Sequence, residues 1–272
     1  MHSVFCITHQ PNITIDLDRS ASIVWLGAAG QAPQSGQPVL DTHQIYPDLM
    51  AWHPFLTGAC GTFAIRRFLC DQQREFSDFD LITLTQYRKF ISMHSFGITT
   101  NSYPTMRLIN DKAYIPSYAD WFTEPKKYFC ISRPIEVGNT LGQYSTAHSA
   151  PDFLRYLATA VELEIITGKE CIELINNPIL IPGGIEIGTF PVNIYLTLAQ
   201  HLEDVCLHFL ERHRPVRLDA YQRRALAFCN ERLGGYLLQK VLHEIFGDTI
   251  PRDVVGYMHT VDIGSTEYRI GL

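Results

Sequence analysis

No stretch of this sequence holds the roughly 20 consecutive apolar residues that a bilayer-spanning helix needs. Its opening, Met-His-Ser-Val-Phe-Cys, lacks both a charged leader and a long apolar core, so no secretion signal is expected. Charge is scarce as well: Asp, Glu, Lys and Arg make up 18% of the chain and the net charge is −6. That balance excludes a general nucleic-acid binder. None of the seven cysteines forms a Cys-x-x-Cys pair. The odd, scattered set lies mostly in apolar runs, where a free thiol behaves as a small hydrophobe. Such usage fits a reducing cytoplasm, with the chain soluble or at most peripheral at the inner face of a membrane. The 11 histidines include no His-Glu-x-x-His. Gly27-Ala-Ala-Gly30 lacks the order of a dinucleotide loop and the Gly-Lys-Ser/Thr of a P-loop. There is no Gly-x-Ser-x-Gly, no internal repeat and no low-complexity tract.

What is present is a globular composition, 46% hydrophobic over 272 residues, enough to bury a large core. No flexible linker divides it, so residues 1–272 read as a single domain. Apolar runs predict strands at residues 3–8, 22–26, 81–84, 128–132 and 254–261. Helices are predicted over 58–73, 151–167, 191–213 and 218–246. The second of these follows Ser149-Ala-Pro-Asp, a cap residue with proline and an acid in the first turn. Residues 179–187 read as a strand interrupted at Gly183-Gly184. Strand, helix, strand in succession is the α/β signature. The expectation is a mixed sheet flanked by helices, closed by two long C-terminal helices. Residues 95–127 are too long and aperiodic for a plain connector. Their aromatics (Tyr103, Tyr114, Tyr118, Trp121, Phe122) read as exposed.

The most informative stretch runs from Phe79 to Phe90. Leu81, Ile82 and Leu84 form the apolar part of a short strand, which then ends in Gln86-Tyr87-Arg88-Lys89. In an open α/β sheet, ligands sit beyond the carboxyl ends of the strands. An aromatic followed by two cations there suits an anion, and Arg88 can hold phosphate oxygens in a bidentate fork. The plainer alternative is that Arg88 and Lys89 solvate a loop. Asp78 and Asp80, two residues apart, can share an oxygen-seeking Mn²⁺ or Mg²⁺. They precede the strand, however, and fall at the edge opposite Arg88, where a polar turn is the stronger reading. His148 sits beside the Ser149 helix start, a base or donor near a helix N-terminus or else a loop histidine. Glu186, in Ile-Glu-Ile, either points to solvent by alternation or enters a cleft with a raised pKa suited to acid–base work; solvent is favoured. Glu231-Arg232 lies mid-helix among residues expected to pack, where a charged pair implies partners or function. The neighbouring Gly234-Gly235 weakens the helix and permits close approach of another element.

Together, Tyr46-Pro-Asp-Leu with Trp52, the run from Asp80 through Gln-Tyr-Arg-Lys-Phe (86–90), and Asn230-Glu-Arg-Leu-Gly-Gly-Tyr-Leu-Leu resemble a bacterial glycosyltransferase-like family of capsule and lipopolysaccharide gene clusters. Members of that family carry a helix with a Trp, a strand ending His-Tyr-Arg-Arg-Tyr, and a late Glu-Arg-Leu helix. The resemblance covers about residues 46–246 and departs from the motif at Gln86, Lys89 and Phe90. It implies a GT-A-like, Rossmann-like fold and transfer of a sugar from a nucleotide-sugar donor to a cell-surface polysaccharide or other glycan. On that reading the donor diphosphate lies near Gln86, Tyr87, Arg88, Lys89 and Arg232, Glu186, Glu231 or His148 serves as acid, base or acceptor anchor, and the aromatic segment from Tyr103 to Phe122 offers stacking faces for sugar rings. Cationic groups can offset the charge on a leaving diphosphate and so replace a metal; a divalent cofactor, Mn²⁺ or Mg²⁺, is not favoured. If the motif histidine is the base, Gln86 points instead to a non-catalytic nucleotide- or glycan-binding module. An unrelated α/β enzyme acting on a phosphorylated small molecule is the third reading.

Overall fold

The computed structural model describes residues 1–100, 105–122, 128–213 and 219–262. Val4 to Thr8 are buried without alternation in β1 (His2–Thr8), the pattern of a strand covered on both faces. β2 (Ser22–Trp25) runs parallel beside it, and β3 (Val39–Asp41) continues outward, also parallel. The chain then returns through three helices, α1 (Thr42–Ile45), α2 (Pro47–Leu56) and α3 (Ala59–Asp71), the last packed on β1 and β2. It enters β4 (Leu81–Gln86), parallel to β1 but on its other side. Growth of the sheet therefore reverses between β1 and β4, and this is where an α/β sheet opens a crevice at its carboxyl edge.

β5 (Lys89–Ser92) follows β4 after only Tyr87 and Arg88, through the pair Gln86–Lys89. β6 (Ile98–Thr99), β7 (Met106–Ile109) and α4 (Tyr118–Trp121) come next. Then follow β8 (Ile131–Ser132), β9 (Ile135–Glu136), α5 (Thr140–Ser145), α6 (Ala150–Glu162) and α7 (Gly168–Asn176). β10 (Ile179–Leu180) pairs with β9 away from the main sheet, whereas β11 (Gly188–Pro191) lies antiparallel to β4. Three helices, α8 (Val192–Arg212), α9 (Ala220–Arg223) and α10 (Ala225–Phe246), precede β12 (Val255–Val261). The sheet order is β3-β2-β1-β4-β5-β12-β7-β6, parallel at one end and mixed at the other. This is a mixed α/β fold with helices flanking a central sheet.

Three expectations change. Gly168 opens a helix instead of ending one: Thr167 and Glu170 cap each other's backbone, and α7 grows from that box. Residues 185–187 form turns, and the strand begins at Gly188. The last predicted helix is divided at Arg224, where α9 stops and α10 begins; its predicted first residue, Leu218, lies outside the described residues.

The core is built where α3, α6, α8 and α10 meet, with Phe63, Phe153, Tyr195, Phe209 and Leu202 fully buried. One charged group sits within it. Glu203, 2% exposed, accepts from Arg66 Nε at 2.8 Å and Arg67 Nε at 2.6 Å, tying α8 to α3. A second, smaller cluster joins Phe90, Ile15, Ile109, Trp121 and Val261.

Candidate active site

Local chemistry first fixes the turn after β4. Tyr87 N–H donates to Ile7 C=O at 3.0 Å, the Tyr87 carbonyl accepts from Thr14 N–H at 2.7 Å, and the Arg88 carbonyl accepts from Val261 N–H at 2.7 Å. With its backbone held by β1, the following loop and β12, the turn presents its side chains from a fixed base. Arg88 lies with its guanidinium 5.7 Å from the Tyr87 ring centre and 3.6 Å from the Asp262 carboxylate. That ion pair is partly exposed, so its net contribution is about 1 kcal/mol or less. A doubly charged phosphate group can displace it.

Glycines position the opposite wall. Gly184 has φ +50°, and a Cβ there would meet Gly235 N at 3.0 Å and Glu231 O at 3.1 Å. A Cβ on Gly235 would in turn meet the Ile181 carbonyl at 3.2 Å. The bare backbones of residues 181–187 and α10 thus touch, as the Gly234-Gly235 pair predicts. Contact lets Gly183 N–H donate to Glu231 Oε1 at 2.7 Å and Asn230 Nδ2 donate to Glu186 Oε1 at 3.1 Å. Asn230 is itself fully buried and oriented by Tyr156, whose hydroxyl donates to Asn230 Oδ1 at 3.1 Å.

Between these walls lies a cavity of about 610 Å³. Gln86, Tyr87, Arg88 and Lys89 line it from β4 and its turn; Glu186, Glu231, Arg232 and His148 line it from the helical side. Eight residues singled out from separate stretches of sequence therefore face one space, outside the carboxyl ends of β1 and β4. The N-terminus of α3 opens onto it through Gly58, where an added Cβ would stand 3.6 Å from both Gln86 Nε2 and Glu186 Oε2. A helix N-terminus and nearby cations favour an anion at this end.

The titratable groups differ in freedom. Burial, reinforced by the charge of Glu231, pushes the Glu186 carboxyl up to about 8, against smaller opposing effects of Asn230 and Lys89. Contrary to the solvent-facing expectation, Glu186 is half-buried and turned into the cavity, because residues 185–187 form a turn and alternation does not apply. Its Oε2 stands beside Gly58 at the N-terminus of α3, 3.6 Å from where a Cβ on that glycine would sit. Glu231 is committed to Gly183 N–H and, at 3.3 Å, to Arg232. Arg232 is 6% exposed and donates to Gln143 Oε1 at 2.7 Å and to the Phe228 carbonyl at 2.8 Å. His148 stacks on both Tyr221 and Phe228, with ring centres at 5.0 and 4.4 Å, and those two rings also touch each other at 5.5 Å. Burial, aided by the fields of Arg232 and Arg224, lowers its pKa.

Asp78 and Asp80 do not join the site. Asp80 accepts from Ser77 N–H and the Met1 amine at the amino end of β4, the edge away from the cavity, and Asp78 is exposed. Among the described residues, no three His, Cys, Asp or Glu side chains converge as metal ligands. The aromatics expected to serve as stacking faces are elsewhere too. Trp121 is core, Tyr118 stacks on Phe122 at 4.8 Å, Tyr114 is exposed, and Tyr103 lies outside the described residues. The cavity takes its aromatic faces from Tyr221 and Phe228 instead. Sequence reasoning also passed over His9, Gly58, Gln143 and Arg224. Each comes from a different segment, and only the strand order and helix packing bring them together. Two of them left traces: His9 directly follows a predicted strand, and Gly58 directly precedes a helix.

Neither a family model nor a curated protein matches the chain. Among solved structures it is similar to that of the WbbM bifunctional glycosyltransferase in its apo form, with a TM-score of 0.67 and 14% identity. The likeness covers 96% of this chain but 45% of that one, so the chain spans less than half of that protein's length. At this identity the likeness is one of fold, and the fold it matches is GT-A-like. No helix among the described residues is long and apolar enough to cross a membrane.

Proposed function

We propose that this chain is a glycosyltransferase that takes a sugar from a nucleotide-sugar donor and passes it to a glycan acceptor. The observation that carries the reading is the meeting of Arg88, Lys89, the α3 N-terminus and Glu186 in one cavity at the reversal point of the sheet. Arg88 and Lys89 hold the donor diphosphate and offset the charge that grows on it as the sugar–oxygen bond breaks. A preorganised turn supports this role, since fixed donors need no rearrangement as charge develops. The acceptor hydroxyl oxygen forms the new bond to the sugar, and its proton passes to Glu186. Of the three candidate bases, Glu231 is held by Gly183 and Arg232 and His148 lies against the rings of Tyr221 and Phe228, whereas Glu186 has its Oε1 held by Asn230 and its Oε2 beside Gly58 at the α3 N-terminus. A pKa near 8 suits a base working close to neutral pH.

Thermal-shift measurements with nucleoside diphosphates and nucleotide sugars, each with and without Mn²⁺, test the reading. Stabilisation by a nucleoside diphosphate that disappears in Arg88→Ala is expected. Indifference to every nucleotide would overturn it.

A further inference from the structure

We propose that Arg224, at the break between α9 and α10, is the second arm of a diphosphate grip whose first arm is Arg88, in the cavity that His9 also lines. The inference rests on the donor reading above and deepens it by naming who holds the phosphates.

Three of the cavity's positively charged side chains differ in their commitments. Arg232 is bound to Gln143, Phe228 and Glu231, so its hydrogen-bonding capacity is largely taken up by the protein. Among the described residues, Arg88 pairs with Asp262 through a half-exposed contact at 3.6 Å. Arg224 lines the same cavity, is exposed, and makes no ion pair with any described residue. It is nevertheless not a loose surface group. Its guanidinium lies 5.3 Å from the Tyr221 ring centre and 5.9 Å from that of Phe228, and stacking of this kind leaves the N–H edge available to an anion.

His9 relates the two arginines. It extends from β1 at the sheet's reversal point, and its ring meets Tyr87 edge-on at 5.1 Å. Its pKa is lowered by burial and then by the fields of Arg88 and Arg224, which line the same cavity. Two guanidinium groups that line one cavity repel each other. A diphosphate between them removes that repulsion and accepts charge-assisted hydrogen bonds from both sides. The interruption of the helix at residue 224 has a purpose on this view, because a continuous α9–α10 helix would aim that side chain differently.

The experiment is calorimetric titration of the full chain with a nucleoside diphosphate and, by competition, with the corresponding nucleoside, for wild type, Arg88→Ala, Arg224→Ala and Arg224→Lys. Charge-assisted hydrogen bonds are each worth about 1.5–3 kcal/mol, so Arg224→Ala should weaken diphosphate binding about tenfold or more and leave nucleoside binding within about twofold. Arg224→Lys, which keeps charge without the fork, should fall between. Retention of diphosphate affinity within about threefold in Arg224→Ala, with wild type and Arg88→Ala behaving as the donor reading requires, would overturn this inference alone. Equal weakening for nucleoside and diphosphate would overturn it as well, by making Arg224 a packing residue. Failure of the wild type to bind the diphosphate would remove both readings.

Discussion

Glu186 has an unusual position for an acid: one oxygen accepts from a buried amide and the other stands beside Gly58, in a cavity that Lys89 also lines. Its pKa stands near 8 in the fold against an ordinary value of 4.5. Between those values the folded chain holds a proton here that the unfolded chain has released, so this group's contribution to stability falls as pH rises through the window. Glu186→Gln cannot ionise and escapes that loss. The melting temperature of the variant relative to wild type should therefore climb from pH 5 to pH 9; a constant difference would contradict the assigned environment. The side chain was visible in the sequence as a candidate, but its surroundings were not. An apolar-acid-apolar triplet reads as strand alternation, and only the contact of Gly184 with α10 bends it into a turn.

At the scale of elements, the long periodic segments were legible because their signals are local. α3, α8 and α10 follow from spacing of apolar residues, and β1, β2, β4 and β12 from short apolar runs. Where two local signals compete, the outcome was harder to read. Gly168 resembles a helix stop, yet Thr167 and Glu170 make it the first residue of α7. The pairings β9–β10 and β8–β12 each join two residues per strand, and no local signal says which strands will meet. Contact of the 181–187 turn with α10 depends on Gly184 at φ +50° and on the lack of a side chain at Gly235. Gly184→Ala places a Cβ about 3 Å from backbone atoms and forces a left-handed alanine. A loss of roughly 1–3 kcal/mol is expected, measured as a lower urea midpoint. Because the turn carries both Gly183 and Glu186, nucleotide binding should weaken with it. A variant as stable as wild type would show that the approach is not tight.

On the scale of the whole molecule, the site is a product of topology. The parallel block β3-β2-β1-β4 reverses beside β1, and the reversal sets His9, Tyr87 and Arg88 at one edge. The helical side then supplies Glu186, Glu231 and Arg224 from segments far along the chain. No sequence spacing encodes such a meeting, which is why residues on β4 and α10 were identified one by one while their shared cavity was not. The grip of a diphosphate at that edge is tested most directly by a crystal structure of the chain with a bound nucleoside diphosphate. The account predicts a phosphate oxygen within hydrogen-bonding distance of the Arg88 guanidinium, Asp262 displaced, and the ligand outside the carboxyl ends of β1 and β4. A nucleotide bound elsewhere, with Arg88 still paired to Asp262, would contradict it.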